Sequence, residues 1–240
     1  MSRRYLITGG TSGIGAAVAR HLTARGHRVL ITGTSTASVE AALVDGVAVR
    51  GAVADVTDAA AVAAAFADAA AAFGGLDGVF ANAGIDGEGK AAQDLDPTAF
   101  ARVLAVNTVG TLIVAQEAYR HLDRPGSLVV NASVNALRPE AHFADYNASK
   151  AAALALAKTL ALEWSAEELS VIAVCPGYFP SKMTEQWLTD PEVSRELLGL
   201  IPAGRFGRLD EIGELLEFLL GPQATFLTGA TITIDGGRNI

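Results

Sequence analysis

Cysteine is almost absent from this chain of 240 residues, which contains Cys175 alone. A single cysteine cannot form an internal disulfide, and such scarcity is typical of proteins from reducing compartments. Cys175 ends the apolar run Val171–Val174, a position that favours a buried structural thiol.

Positive charge is also scarce, because 18 Lys and Arg residues face 26 Asp and Glu residues, for a net charge of −8. This balance argues against nucleic acid or an anionic membrane as a partner. The N-terminal residues Met1–Tyr5 contain no long apolar segment, and no stretch of the sequence is interpreted as a membrane span. We therefore expect a cytoplasmic protein.

Hydrophobic residues, in contrast, make up 50% of the chain, which is enough for a sizeable core. Short apolar runs alternate with helical stretches, without a linker or a repeat. This alternation predicts an α/β fold, a Rossmann-type doubly wound parallel sheet of about seven strands in a single domain, residues 1–240. Ligands of such sheets bind at the carboxyl ends of the strands.

The predicted strands are short apolar runs that end in polar or glycine-containing segments. They cover Tyr5–Thr8, Arg28–Thr32, Val47–Val53, Leu76–Ala81, Ser127–Ala132, Ser170–Cys175 and Thr231–Ile234. Long helices are predicted from Asp96 to about Leu122 and from Asp210 to Leu220. The stretch 178–209 has no strand pattern, and we interpret it as a substrate-binding segment or lid.

A glycine-rich loop lies between the first predicted strand and a helix predicted over Ala16–Arg25. Its glycines are Gly9, Gly13 and Gly15. Glycine allows positive φ and a close approach of the backbone to a ligand. The helix N-terminus offers free N–H groups to a pyrophosphate. The alternative, a plain glycine-rich turn, is less favoured because the loop opens a helix directly after the first strand.

Tyr146 and Lys150 are four residues apart at the start of the Ala- and Leu-rich run Ala151–Leu162, which predicts a helix. Residues with this spacing share one helix face. A lysine charge about 6 Å from a phenol, at an effective dielectric of about 20, would lower the phenol pKa by roughly two units from its usual value near 10. Taken alone, such a pair is more often a packed tyrosine and a surface lysine.

Taken together, the motifs resemble those of the short-chain dehydrogenase/reductase family over essentially the whole chain. The similar segments, in chain order, are the cofactor loop Thr8–Gly15, the adenine-contacting pair Asp55-Val56, the central-strand motif Asn82-Ala83-Gly84 and the turn beside the nicotinamide, Pro176-Gly177. The catalytic tetrad of the family is matched by Asn107, Ser133, Tyr146 and Lys150. Each motif is weak alone, but all of them in order at the family's spacing are strong evidence.

The resemblance implies a role for each catalytic residue. Tyr146 would be the general acid in carbonyl reduction or the base in alcohol oxidation, and Ser133 would bond the substrate oxygen. Lys150 would lower the pKa of Tyr146 and hold the nicotinamide ribose, while Asn107 would anchor a water of the proton relay. The hydride would come from the cofactor, so the protein would supply position and electrostatics.

The resemblance also implies a dinucleotide site. Its expected residues are Gly9, Thr11, Ser12, Gly13, Ile14, Gly15, Thr34, Ser35, Asp55, Val56, Asn82, Ala83, Gly84, Tyr146, Lys150, Pro176, Gly177 and Ser181. Candidate substrate residues are His142, Phe143, Tyr178, Phe179 and Trp187, each of which is equally well interpreted as loop packing. No metal site is predicted.

Both usual determinants of cofactor choice are missing. An NAD-preferring member usually has an acidic residue at the end of the second strand, where this chain has Gly33. An NADP-preferring member usually has a basic residue nearby, at positions that hold Thr34 and Ser12 here. Because no carboxylate would exclude a 2′-phosphate and hydroxyl groups can donate to one, we favour NADP(H), with NAD(H) as the alternative.

The expected function is hydride transfer between NAD(P)(H) and a ketone or secondary alcohol. A 3-oxoacyl-carrier-protein reductase is a narrower alternative, because Ile201–Arg208 and Thr228–Gly237 are similar to that branch. A catalytically silent dinucleotide-binding sensor or scaffold is the alternative of another class, and the complete tetrad argues against it. The family also implies a homo-oligomer, most often a tetramer, and the apolar residues expected at its interfaces are Val103, Leu112, Ala152, Leu156 and Leu160.

Overall fold

The computed structural model describes residues 2–181, 184 and 188–240. Within these residues, seven parallel strands form one sheet in the order β3-β2-β1-β4-β5-β6-β7. They are β1 Arg4–Ile7, β2 Arg28–Gly33, β3 Arg50–Val53, β4 Leu76–Ala81, β5 Leu122–Asn131, β6 Leu169–Pro176 and β7 Thr231–Ile234. The predicted doubly wound α/β fold is therefore confirmed.

Helices cover both faces of the sheet. They are α1 Gly13–Ala24, α2 Thr36–Val44, α3 Ala59–Phe73, α4 Pro97–Leu104, α5 Gly110–His121, α6 Ala144–Trp164, α7 Pro191–Gly199 and α8 Leu209–Leu219. Side chains along a strand alternate between the faces, so Leu6 of β1 joins one core cluster while Tyr5 and Ile7 join the other. Two cores, one on each side of the sheet, stabilise the domain.

The direction of winding reverses at β1. This strand pairs with β2 on one side and with β4 on the other, both in parallel. The segments that follow β1 and β4 therefore diverge from a common point at the carboxyl edge of the sheet. Such a switch point leaves a crevice where open α/β sheets bind their ligands.

Several predicted boundaries differ from the structure, among them the start of β5, which lies at Leu122 and not at Ser127. The third strand begins at Arg50 and not at Val47, because the Val47 N–H donates to the Ala42 carbonyl at 2.9 Å and closes the turn after α2. Helix α1 begins at Gly13, three residues earlier than predicted. The last glycines of the loop thus belong to the first helical turn.

The predicted helix from Asp96 to about Leu122 is present, but a π-helical turn, Ala105–Val109, interrupts it. Asp96 caps the helix by accepting from the Thr98 N–H at 2.9 Å. The π turn places Asn107, which is 1% exposed, among the buried groups. Such turns are frequent at functional sites, and no local pattern predicts them.

The same helical stretch, Pro97–His121, is long and apolar enough to span a membrane when length and composition alone are considered. A single such helix is weak evidence of a membrane protein, because a helix that packs in a domain core also meets the criterion. Here Val114, Ala115 and Ala118 belong to the core cluster on one face of the sheet.

Candidate active site

A cleft of about 810 Å³ opens at the carboxyl edge of the sheet. Its volume lies within the range of small-molecule and cofactor sites. All predicted dinucleotide residues except Gly15 and Ser35 line it, and so do Ser133 and Phe179. The motifs that are separated in sequence thus meet in one cavity.

The glycine loop forms the wall of the cleft at the switch point. Gly9 and Gly13 have φ values of 63° and 55°, a region that favours glycine. A Cβ on Gly9 would lie 2.9 Å from the Ala83 Cα atom. Ser12, the N-cap of α1, makes no side-chain capping bond, so the first N–H groups of the helix are available to an anion. These features fit the pyrophosphate of a dinucleotide.

Gly15 and Ser35 have structural roles beside the cleft. A Cβ on Gly15 would lie 2.4 Å from the Gly9 carbonyl oxygen, so glycine is required for close packing beneath the loop. The Ser35 hydroxyl accepts from the Ser38 N–H at 3.2 Å and caps α2. Their predicted cofactor contacts stay predictions.

Two asparagines connect the glycine loop to the catalytic lysine. Asn82 Nδ2 donates to the carbonyls of Thr8 at 2.9 Å and Gly9 at 3.2 Å. Asn131 Nδ2 donates to Asn82 Oδ1 at 2.9 Å, and Lys150 Nζ donates to the Asn131 carbonyl at 2.8 Å. Displacement of either asparagine would therefore disturb both halves of the cleft.

Ser133, Tyr146 and Lys150 also line the cleft. Ser133 follows β5, and Lys150 Nζ lies 5.7 Å from the centroid of the Tyr146 ring. One turn of α6 separates the lysine from the tyrosine, as the sequence predicted. Ser133 also accepts from the Asn135 N–H at 3.1 Å, which orients its hydroxyl group.

Asn107 lies behind these three residues and is not among the described residues that line the cleft. Its Oδ1 accepts from the Ile85 N–H at 2.8 Å, and its Nδ2 donates to the Ile85 carbonyl at 2.9 Å. Nδ2 also donates to Ser149 Oγ on α6 at 3.0 Å. The side chain thus ties the loop after β4 to the catalytic helix, and its role in a water relay stays a prediction.

The electrostatics of the catalytic pair differ from the expectation. Burial raises the pKa of Tyr146 above its ordinary value, hydrogen bonding with Ser133 opposes this rise, and the charges of Asp86 and Glu140 add to it. Burial also lowers the pKa of Lys150 from 10.5 to about 8. In the cofactor-free site loss of hydration therefore dominates the tyrosine pKa, and the lowering of this pKa by Lys150 stays a prediction.

We expect Lys150→Met to stabilise the cofactor-free protein at pH 7 by about 1–3 kcal/mol, because a buried charge costs more than its bond to Asn131 restores. Between pH 8 and 10.5 the Lys150 side chain is protonated to a greater extent in the unfolded chain than in the folded protein. Wild-type stability relative to the variant must then rise with pH in this window. Urea unfolding of both proteins from pH 7 to 10 measures the difference.

A matched control for this experiment is Lys158→Met, which changes an exposed lysine of the same helix. We expect a small and constant effect there. If the free energies of unfolding of the wild type and of Lys150→Met differed by the same amount at every pH from 7 to 10, the assignment of the Lys150 pKa would be contradicted.

The substrate candidates do not all lie at the cleft. Phe179 lines it and is 2% exposed. Tyr178 directs its hydroxyl group to Glu140, and His142 is exposed with a φ of 67°. Together with Phe143, these two are not among the described residues of the lining, so their substrate roles stay predictions. Trp187 lies outside the described residues.

The cleft also contains residues that the sequence reasoning did not include. They are Ala54, Thr57, Ile85, Arg102, Ala105, Val106, Asn131, Ala132 and Thr184. Most of them stand one to three positions from a predicted motif, so proximity in sequence would have found them. Arg102 is different, because no predicted motif is close to it in sequence and only the packing of α4 brings it to the cleft.

A switch-point glycine loop and a Ser–Tyr–Lys cluster in one cleft define a dinucleotide-dependent oxidoreductase. Comparison with known proteins agrees with this class. A family model described as "Enoyl-(Acyl carrier protein) reductase" matches residues 9–239. The chain belongs to the short-chain dehydrogenase/reductase family, whose related members are dehydrogenases and reductases, and it is an oxidoreductase acting on CH–OH or C=O groups.

The relatives cover nearly the full length of the chain. A 2-(S)-hydroxypropyl-CoM dehydrogenase of Xanthobacter autotrophicus is 38% identical over 96% of this chain and 94% of its own. A 3-ketoacyl-(acyl-carrier-protein) reductase from Brucella melitensis, solved with NADH, has a TM-score of 0.91 at 28% identity, with 99% and 98% of the chains covered. An actinorhodin polyketide ketoreductase solved with NADPH has a TM-score of 0.89 at 27% identity, with 99% and 97% covered. A nicotinamide cofactor is thus supported for this chain.

Proposed function

We propose that the protein transfers a hydride between a nicotinamide dinucleotide and a ketone or secondary alcohol, with Tyr146 as the general acid or base. The observation that carries this proposal is the convergence of Ser133, Tyr146 and Lys150 in the same cleft as the glycine loop. When bound, the cofactor supplies or accepts the hydride. The chain positions the reactants and moves the proton.

Tyr146 is suited to donate a proton in the reductive direction. Its raised pKa keeps the phenol protonated at neutral pH, which is the form that a general acid requires. Ser133 accepts the Asn135 N–H, so its own proton can be donated to a substrate oxygen. A carbonyl oxygen held between these two hydroxyl groups would receive its proton from Tyr146 as negative charge develops on it.

In the proposed function, Lys150 binds the ribose of the cofactor. An ammonium group has three donors, and one of them is bound to the Asn131 carbonyl. The others remain for the ribose hydroxyls of the cofactor and for a proton relay. Because Asn131 is bonded to Asn82, which contacts the glycine loop, the orientation of Lys150 depends on the loop that would hold the pyrophosphate.

The substrate within this class is a narrower question. The Brucella reductase, named for a 3-ketoacyl carrier protein, supports a 3-oxoacyl thioester as one candidate, while the dehydrogenase of Xanthobacter, named for a different alcohol, is more similar in sequence. A screen of ketones and alcohols, including an acetoacetyl thioester, tests the proposal through oxidation or reduction of both cofactors. Cofactor binding without turnover of any substrate would instead favour the silent sensor.

We propose NADP(H) as the preferred cofactor, with weak discrimination against NAD(H). The structure reduces the number of hydroxyl groups that can donate to a 2′-phosphate, because Ser35 and Ser38 hydrogen-bond to each other at the start of α2. Thr34 lines the cleft and makes no hydrogen bond among the described residues, so it is the hydroxyl group left for a 2′-phosphate. The absence of a carboxylate at Gly33 supports the same choice.

The stretch 178–209 is proposed as the lid over the substrate. Of its described residues, Phe179, Ser181 and Thr184 line the cleft. The helix Pro191–Gly199 lies in this stretch, begins at the Asp190 cap and has no fully buried residue, as expected for a cover that packs loosely on the domain. A single domain over residues 1–240 and a cytoplasmic location stay predictions.

We predict a homo-oligomer, a tetramer, because apolar helix surface remains uncovered in one chain. Only 33% of the most apolar window of Pro97–His121 is buried, and Leu162 of α6 is 84% exposed. Of the expected interface residues, Val103 and Leu160 are instead buried within the chain. Light scattering at micromolar concentration should give a multiple of the chain mass of 24.7 kDa. A mass of one chain would refute the prediction.

A further inference from the structure

Arg102 is a cation at the cleft that belongs to neither the catalytic nor the cofactor motifs. It lies on α4 and lines the cleft together with Ala105 and Val106. Residues three and four positions apart share one face of a helix, so these three form a single wall. The same cavity contains Asp55 and Val56, the pair expected at the adenine.

The guanidinium group of Arg102 is available for a ligand. The side chain is exposed, and it forms no ion pair or hydrogen bond with any residue that the structure describes. Several other arginines of the chain are held in ion pairs, as Arg4 is by Asp77 at 2.7 Å. A rotation of Arg102 toward the cleft therefore breaks no existing bond.

Arg102 also acts on the group that is expected to recognise the base. Hydrogen bonds from Thr57 hold the pKa of Asp55 below its ordinary value, and the charge of Arg102 contributes in the same direction. Both bonds from Thr57 reach Oδ1, at 2.9 and 2.7 Å. Oδ2 of the ionised carboxylate thus remains to accept from an exocyclic amine of a base.

We propose that Arg102 binds the adenine ring of the cofactor by stacking its guanidinium plane on the base, while Asp55 Oδ2 accepts from the amine. A planar, weakly hydrated guanidinium group stacks well on aromatic faces. The Ala105 and Val106 side chains supply the apolar wall beside it. The inference rests on the proposed function only in that a dinucleotide binds in this cleft.

Calorimetric titration with 5′-AMP and with 2′,5′-ADP tests the proposal without requiring turnover. We expect Arg102→Ala to weaken both ligands equally, by about 3- to 10-fold, as a cation–π contact at a partly exposed site would. Arg102→Lys keeps the positive charge but lacks the planar guanidinium group. Its affinity for the nucleotides should therefore lie between those of Arg102→Ala and the wild type. Arg20→Ala, an exposed arginine of α1 away from the cleft, should match the wild type.

The outcomes distinguish adenine binding by Arg102 from phosphate binding by the same residue and from the proposed hydride transfer. Unchanged affinity of Arg102→Ala for both nucleotides overturns it, and so does a loss confined to 2′,5′-ADP, which would make Arg102 a phosphate ligand. Failure of the wild type to bind either nucleotide also overturns it. A protein that binds 5′-AMP through Arg102 but reduces no ketone would instead refute the proposed function alone. Equal unfolding midpoints of the variants and the wild type confirm that the fold is retained.

Discussion

Replacement of Tyr146 by phenylalanine is expected to reduce turnover by about 100-fold or more, while the fold and cofactor binding remain intact. The phenol hydroxyl is the proton donor at the substrate end of the cleft, and phenylalanine keeps the ring that packs there. The neighbouring Ser133 cannot replace it, because an aliphatic hydroxyl is a far weaker acid than a phenol. Steady-state rates and cofactor titration of both proteins measure the two effects separately.

Tyr119→Phe is the matched control for this experiment. Tyr119 bonds Glu167 at 2.7 Å on the surface of the protein, so the loss of its hydroxyl group should not change the rate. The assignment of Tyr146 would be untenable if Tyr146→Phe kept more than about a tenth of wild-type activity. A weaker affinity for the cofactor without a change in turnover would assign the tyrosine to binding only.

A carboxylate placed at position 33 is expected to turn the cofactor preference toward NADH by more than about tenfold. An acidic residue there would bind the ribose hydroxyls and repel a 2′-phosphate, and each hydrogen bond to a charged group contributes about 1.5–3 kcal/mol. Gly33→Asp alone is not sufficient, because a Cβ at this position would lie 2.5 Å from Thr11 Cγ2. Thr11→Ser removes that methyl group, so the double variant is the informative one.

The measurement is kcat/KM for NADH and NADPH with one substrate, in four proteins. The wild type should favour NADPH, and a wild-type preference for NADH above about tenfold, ~1.4 kcal/mol, would refute the proposed cofactor. Thr11→Ser should leave the ratio unchanged, and Gly33→Asp should lose affinity for both cofactors through the clash. If the double variant also left the ratio unchanged, position 33 would not adjoin the ribose.

The sequence by itself determined the architecture of this protein and predicted its candidate catalytic residues. Alternating apolar runs and helices predicted the parallel sheet, because strand and helix patterns are local. The glycine loop was predictable for a similar reason, since only glycine readily adopts the positive φ that Gly9 and Gly13 require. Tyr146 and Lys150 were predictable because a helix fixes the relation of residues four positions apart.

The tertiary structure alone decided the chemistry around those residues. Whether the Tyr146 pKa rises or falls depends on burial, which is a property of all the segments around the phenol and not of the Tyr–Lys spacing. The bonds that join Lys150 to Asn131 and Asn131 to Asn82 connect helix α6 to the end of β5 and to the segment after β4. Contacts between residues distant in sequence leave no local pattern, so the position of Arg102 at the cleft, like the packing of Thr11 against Gly33, follows only from the assembled sheet and helices.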